Sequence, residues 1–500
     1  MKRILIGGTN SGCGKTSVAC AVLRALQMQG LRVSSFKCGP DYIDPMFHRE
    51  IIGARSANLD GFFCDPPVLK KLLSEESAGT DIAVIEGVMG YYDGMKAGGS
   101  AYDIARMTDT KAVIVIDCHG MSETIGAVMD GFLRYREPSF ICGFLFNRLP
   151  ASLVDDVKQM CAARGTAFIG YLPRHGISLQ SRNLGLVTAQ EVPDLQEKID
   201  ALGVLAAAHI DLELLMKLAA KTDDAASAQA SVTEPAADGP VIAVAKDRAD
   251  GPVIAVAKDR AFCFLYPENI RMLEKCGCRI RYFSPLTDAT LPEADGLYLP
   301  GGYPELHAKE LSENVSMRES IRSAVRGGMP TIAECGGFLY LHRELRMQEE
   351  EMADGMGQGC SDAVYPMCGV IDAAAFPRKS LQRFGYVTLT AKETNLLCVA
   401  GDRIRAHEFH YWESEEPGDL FEAIKPDGRS WTCGIGTKTL YAGFPHLYFY
   451  AKPQMAQRFA AAAAAYHAEK MPCMQVQDGD CGADAAAAPS SAPVHRSAGG

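Results

Sequence analysis

The sequence predicts an α/β protein of two successive domains: a doubly wound parallel-sheet domain built around a phosphate loop (P-loop), then a second α/β domain. Three observations lead there. Short apolar, β-branched runs alternate with helix-like segments from residue 3 onward. A glycine-rich loop ending in Gly14-Lys15-Thr16 stands between the first such run and the first helix-like segment. A stretch of linker composition then separates two alternating series.

The bulk numbers bound this reading. Five hundred residues allow two to four domains at roughly 150 residues each. A hydrophobic fraction of 47% with 22% charged residues is that of a globular chain. The net charge of −11 argues against a nucleic-acid partner, which calls for a basic stripe, but leaves small anionic substrates open. The opening MKRILIGGTNSGCGKT has too short an apolar run for an export signal, and no apolar stretch of about 20 residues could span a membrane. The 17 cysteines are odd in number, scattered and without a CxxC pair. That predicts neither a disulfide framework nor a metal site, and a cytoplasmic location.

Taken in order, RILIGG (3–8), RVSSFKCG (32–39), DIAVIEG (81–87), KAVIVID (111–117) and FICGFLFNR (140–148) read as buried parallel strands. Thr16–Gln29 and Ser122–Tyr135 read as helices between them, and the first domain closes near Leu205–Leu218, giving it residues 1–215. Residues 216–249 form the linker, with the Ala-, Ser-, Asp- and Pro-rich KTDDAASAQASVTEPAADG at 221–239. Within 238–261 the twelve residues DGPVIAVAKDRA occur twice in tandem. Only the second copy runs directly into FCFLYPEN, so it is the expected working strand. Two copies of twelve residues do not make a solenoid. The strands PVIAVAKD, RIRYFSP, GLYLPGG and TIAECGG begin the second domain, 250–467. Residues 468–500, low in aromatics and large aliphatics, are expected to be disordered.

The loop GGTNSGCGKTS is one residue longer than the common GxxxxGK[ST] when counted from Gly8. Its physics is unchanged: backbone N–H groups and the helix amino terminus receive phosphate, Lys15 reaches the terminal phosphates, and Thr16 offers a hydroxyl to Mg²⁺. Glu86, closing DIAVIEG, stands where a second metal-ordering carboxylate is expected. CGPDYIDPMFH (38–48) places Asp41 and Asp44 around Tyr42, and EGVMGYYDG (86–94) places Asp93 after Glu86. Both loops follow strands at their carboxyl ends, where open α/β sheets bind ligands.

TIAECGGFLYL (331–341) sets Cys335 on a turn between a strand and a helical stretch. A nucleophile on such an elbow projects out of the sheet, and the helix amino terminus is expected to favour the thiolate. Gly336 offers a free N–H to an oxyanion, and the turn LPGGYPE (299–305) can add a second donor at Gly301 or Gly302. The base candidates are His407, His410 and His446.

Together, GTNSGCGKT, KCGPDYIDPMFH, EGVMGYYDG, LPGGYPELHA, AECGGFLYL and HEFHYW (407–412) resemble the cobyrinate a,c-diamide synthase family over nearly all of residues 3–460. These are glutamine-dependent enzymes that amidate two acetate side chains of a corrin ring. The resemblance implies a dethiobiotin-synthetase-like first domain and a class I glutamine amidotransferase-like second domain. It also implies a catalytic pair of Cys335 and His446, with Gly302 and Gly336 at the oxyanion. ATP is implied at Asn10, Gly12, Gly14, Lys15, Thr16, Ser17 and Asn147, and Mg²⁺ at Thr16, Asp44 and Glu86. The substrate loops are implied at Asp41, Tyr42, Asp44 and Asp93, and the partners are small molecules: the macrocycle, glutamine and ATP. Class I glutaminases usually carry His-x-Glu, where this chain has His446-Leu447-Tyr448. A Cys–His dyad is therefore expected. The same motifs fit amidation of hydrogenobyrinate or nickel-sirohydrochlorin, and cobyric acid synthases are near relatives whose corresponding loops fit less well. A P-loop switch ATPase with a non-catalytic second domain would leave Cys335 and the Pro-Gly-Gly turn without purpose.

Overall fold

The computed structural model describes residues 1–50, 52–94, 99–177, 181–182, 185–186, 194–221, 251–347 and 363–470. The first copy of the tandem repeat, nearly all of the expected linker and the expected disordered tail beyond 470 lie outside the described residues.

The amino-terminal half is a parallel sheet of β1 (Lys2–Gly8), β2 (Val33–Cys38), β3 (Arg55–Leu59), β4 (Ile82–Glu86), β5 (Ala112–Asp117), β6 (Ile141–Asn147) and β7 (Ala167–Leu172), in the order β3-β2-β4-β1-β5-β6-β7. Its strands are buried because helices cover the sheet, among them α1 (Lys15–Met28) after β1 and α2 (Ile43–Glu50) after β2. Chain order reverses at β1, so the carboxyl ends of β1, β2 and β4 open at the switch point where such sheets take ligands. The five strands read from sequence are present. β3 (RSANL) and β7 (AFIGYL) are additional; β3 has no β-branched residue and β7 only one, so neither forms a β-branched run. Helix α3 (Leu195–His209) and its successor Leu212–Leu218 end this half, and Ala220–Lys221 returns to pair antiparallel with β1.

The second half has a sheet ordered β9-β8-β10-β11-β14 from β8 (Val253–Ala257), β9 (Arg279–Phe283), β10 (Gly296–Leu299), β11 (Thr331–Glu334) and β14 (Leu440–Gly443), all parallel, with Ile435–Gly436 antiparallel at the edge. The second repeat copy supplies β8, as expected from its continuity with FCFLYPEN. A mostly antiparallel region follows the elbow. It includes the long pair β12 (Arg383–Ala391) and β13 (Arg403–His410), with the two-residue strand β15 (His446–Leu447) on β13. The α/β alternation of the sequence does not extend to this region.

Aromatic side chains join the halves. Phe264, Tyr266, Tyr386, Tyr448 and Tyr450 of the second half pack into the core of the first. Tyr386 stacks on Phe62 at 4.5 Å and Tyr448 on Phe63 at 5.3 Å. Polar contacts lie among them: Tyr386 Oη donates to Asp60 Oδ2 at 2.7 Å, Tyr448 Oη to Asn58 O at 3.2 Å, and Arg405 Nη1 to Phe62 O at 2.9 Å. Among the described residues no helix is long and apolar enough to cross a membrane, and no disulfide joins the cysteines.

Candidate active site

The first centre forms at the switch point. Gly14, in the left-handed region at φ 93°, caps α1. A Cβ there would stand 2.2 Å from Asn147 Nδ2, which itself donates to Cys13 O at 3.0 Å, so Asn147 at the end of β6 buttresses the loop. Lys15 Nζ donates to Asn10 O at 2.9 Å, across the loop. Gly12 has a left-handed φ of 81°, and the Asn10 side chain bonds to Thr9 and Ser11 within the loop. Ser17 lies in the first turn of α1. Tyr91 N donates to Gly8 O at 2.8 Å, tying the loop after β4 to the P-loop.

Strand register brings the charged groups together. Glu86 on β4 is level with Ile6 on β1 and Lys37 on β2. Thr16 Oγ1 donates to Glu86 Oε1 at 2.7 Å and reaches Asp44 Oδ2 at 3.5 Å. Lys37 Nζ donates to both carboxylates, at 2.9 Å to Glu86. His48 Nε2 lies 3.2 Å from Glu86 Oε2. Burial alone would lower Lys37, but Asp44, Glu86 and Asp41 outweigh it and keep the ammonium charged. Burial would raise Glu86, but Lys37 and His48 hold it far below the usual carboxylate range. Burial and the neighbouring Glu86 push Asp44 up. One ammonium thus faces two carboxylates, and Asp44 is the one that yields.

A hydroxyl beside two carboxylates is a hard-oxygen donor set that suits Mg²⁺. Among the described residues no group of three or more His, Cys, Asp or Glu could hold a metal by itself. The fit is therefore to an ion that takes Thr16, one or two carboxylates, and phosphate oxygens and water for the rest. Asp41 holds its own loop: its Oδ1 accepts from Ile43 N at 2.8 Å and Asp44 N at 3.3 Å at the start of α2, while Oδ2 lies 3.9 Å from Lys37 Nζ. Asp93 accepts from Gly90 N at 3.0 Å and closes its own turn.

The second centre lies at the carboxyl end of β11. Cys335, at φ 47° and ψ −101°, donates its N–H to Gly443 O at 2.8 Å and opens the six-residue helix Gly336–Leu341. Gly337 N donates to Pro300 O at 3.0 Å, joining the Cys-Gly-Gly and Pro-Gly-Gly turns. A Cβ on Gly336 would stand 2.9 Å from Gly302 N, so both expected oxyanion donors belong to one small region. The expected low thiol pKa is corrected by the structure. Burial, then the nearby Glu305, push the Cys335 thiol far up, with Glu334 and Glu408 adding to the rise and only the Gly336 N–H opposing it. The Gly336 N–H at the helix amino terminus favours the thiolate, but burial outweighs it.

His446 is 2% exposed and level with His407 across β13 and β15. Burial, then His407 and His410, hold it well below the ordinary histidine value, so the imidazole is neutral. His410 is engaged at both nitrogens, with Trp412 O at 2.6 Å and Glu408 Oε2 at 3.4 Å. Burial lowers His407 to about 4. No carboxylate follows the histidine at the His-x-Glu spacing, but Glu334 Oε2, from the strand before Cys335, lies 4.0 Å from His446 Nδ1.

Tyr42 links the centres. From the acid loop of the first sheet its ring reaches into the second half, 5.2 Å from Phe264, 4.5 Å from Tyr266 and 5.2 Å from His446. Sequence reasoning missed Lys37, His48 and Glu305. A lysine inside the buried run RVSSFKCG was a readable signal, since charge inside a strand needs partners. Nothing local marked His48, or Glu305, whose burial raises it to about 7.

Residues 4–185 match the CobQ/CobB/MinD/ParA nucleotide binding domain and residues 253–454 the CobB/CobQ-like glutamine amidotransferase domain. Three curated relatives carry the name cobyrinate a,c-diamide synthase. That of Listeria monocytogenes serotype 4b is 36% identical over 90% of this chain and 97% of its own. That of Fusobacterium nucleatum is 36% identical over 90% and 98%, and that of Salmonella typhimurium 34% over 92% and 97%.

Proposed function

The chain belongs to the cobyrinate a,c-diamide synthase family, and from that premise we propose that it amidates the a and c acetate groups of cobyrinic acid, with ATP and glutamine, through acyl phosphates. The observation that supports this most is Tyr42, which leaves the acid loop beside the P-loop and packs 5.2 Å from His446. A chain whose two centres share one aromatic contact is suited to making ammonia at one and using it at the other.

In this reading the N–H groups of Gly12 and Gly14 and the Lys15 ammonium receive the phosphates of ATP, flanked by Asn10, Ser17 and Asn147. Magnesium, for which Thr16, Glu86 and Asp44 are the fitting ligands, would offset phosphate charge when bound. A carboxylate oxygen of the macrocycle, positioned by the Asp41, Tyr42 and Asp93 loops, attacks the γ-phosphorus and ADP leaves. Ammonia then attacks the acyl carbon, phosphate departs, one proton is lost and the amide remains. Activation is required because a carboxylate is a poor electrophile.

At the second centre the Cys335 thiol gives its proton to His446 as Sγ attacks the side-chain carbonyl of glutamine. Gly302 and Gly336 N–H groups receive the oxyanion, and the proton passes to the departing ammonia. Water then releases glutamate from the thioester. A thiol held neutral by burial fits this concerted transfer better than attack by a standing thiolate.

Mass spectrometry of cobyrinic acid incubated with the protein, ATP–Mg²⁺ and glutamine tests the reading. Two successive decreases of about one mass unit, each OH exchanged for NH₂, are expected. Cys335→Ala should lose glutamine use and keep ammonium use; equal glutamine use by both proteins would overturn the nucleophile. Glutamine or ATP turnover without amidation would move the substrate to another tetrapyrrole.

A further inference from the structure

The histidine of the proposed glutaminase centre has no carboxylate after it in sequence, yet a carboxyl is built in beside it from another direction. Glu334 precedes the elbow cysteine and is 1% exposed. It is the last residue of β11, a strand buried along its whole length. Its Oε1 accepts from Leu447 N at 3.1 Å, the backbone of the residue after His446. Its Oε2 accepts from Tyr298 Oη at 3.1 Å and faces His446 Nδ1 at 4.0 Å. Asn269 braces the arrangement: Nδ2 donates to Leu447 O at 2.8 Å and reaches Tyr298 Oη at 3.3 Å, and Oδ1 accepts from Phe449 N at 2.8 Å. His446 Nδ1 is wholly enclosed and makes no hydrogen bond, and a Cβ on Gly301 would press on the ring at 2.4 Å from Cε1. The ring is therefore fixed from two sides, with Nδ1 directed at one buried carboxyl.

Resting on the function proposed above, we propose that Glu334 is the positioning residue of His446, holding Nδ1 so that Nε2 serves the Cys335 thiol. Glu334 takes the part that a carboxylate two residues after the histidine plays in His-x-Glu glutaminases. The nucleophile and its histidine's partner are thus adjacent in sequence, the partner closing β11 and the nucleophile opening the helix after it. Burial raises Glu334 to about 8 and lowers His446. In the working form Glu334 is a carboxylate and neutral His446 carries its proton on Nδ1, so the pair holds one negative charge and Nε2 is free. When the thiol proton reaches Nε2, the imidazolium is opposed by that carboxylate. His407, His410 and Tyr42 also face His446, and Tyr298 and the Leu447 amide face Glu334; none of these can carry the opposing negative charge at neutral pH.

The test is Glu334→Gln, which keeps shape and an acceptor for Leu447 N–H. Glutamine-dependent kcat should fall by at least about tenfold with KM for glutamine unchanged, while ammonium-dependent amidation, which bypasses this centre, serves as the control. Glu334→Asp should recover part of the loss. Unchanged kcat in a folded Glu334→Gln protein would overturn the assignment. So would a fall matched by a rise in KM and lost ammonium use, the mark of a merely structural part. Should that variant not fold, proton NMR of the wild type decides. A low-field imidazole N–H resonance that disappears in His446→Gln supports the pairing, and its absence from the wild type overturns it. Wild-type protein without glutaminase activity, or Cys335→Ala with it, would instead sink the functional reading itself.

Discussion

Lys37 shows how one side chain can stabilise a site and compete with its ligand. Its ammonium is buried between Glu86, Asp44 and the Gly87 carbonyl, where an unpaired charge is strongly destabilising. Replacing it by Met leaves two carboxylates facing each other around Thr16. Lys37→Met should therefore lose roughly 3–5 kcal/mol of stability, and millimolar Mg²⁺ should restore part of its melting temperature. Wild-type protein without nucleotide should respond far less, because its own ammonium already neutralises the pair; an equal Mg²⁺ response from both would exclude the competition. The individual residues were legible in unequal measure. Lys15, Thr16, Glu86 and Cys335 could be read because strand, turn and helix signals fix where they stand. Glu334 could be seen but not given a partner, because the strand that presents His446 to it, two residues long, has no periodicity to read.

At the scale of elements, the elbow depends on how closely two turns can approach. Gly337 lies so near the end of β10 that a Cβ would stand 2.1 Å from Leu299 O. Backbone cannot step aside as a side-chain tip can, so Gly337→Ala must displace the Cys335 turn from the Pro-Gly-Gly turn. A stability loss of about 1–3 kcal/mol is expected, along with loss of the Gly337–Pro300 hydrogen bond. Glutaminase activity should fall far more than ammonium-dependent amidation, because Gly302 and Gly336 move apart while the first sheet is untouched. Thermal melting and the two nitrogen-donor assays measure this, and a proportional fall in both activities would contradict it. The parallel elements were legible from sequence for the same physical reason that they are buried: strands covered on both faces read as continuous apolar runs. The antiparallel pair Arg383–Ala391 and Arg403–His410 has one face wetter than the other and mixes charge with apolar residues, so no run announces it.

Across the whole molecule, the halves are held by aromatic rings with a few buried polar groups among them, and sequence could not pair residues more than 300 positions apart. Asp60 is the most telling of these groups. It accepts from Tyr386 Oη and from the N–H groups of Phe62 and Phe63, with the Arg405 guanidinium also lowering its pKa, yet burial outweighs all four and raises it to about 6. The unfolded chain releases that proton near pH 4. The folded protein therefore gains from a protonated Asp60: this contribution is fully present below about pH 4 and lost as pH rises through about 6. A rise of about two units corresponds to roughly 3 kcal/mol, felt where the two halves touch. Asp60→Asn cannot ionise and still offers an acceptor to the Phe62 and Phe63 amides. Relative to that variant, wild-type protein should lose melting temperature between pH 4 and pH 7, and the gap should open around pH 5–6. Parallel melting curves at every pH would mean that Asp60 is not desolvated in solution, and that the aromatic layer between the halves admits water.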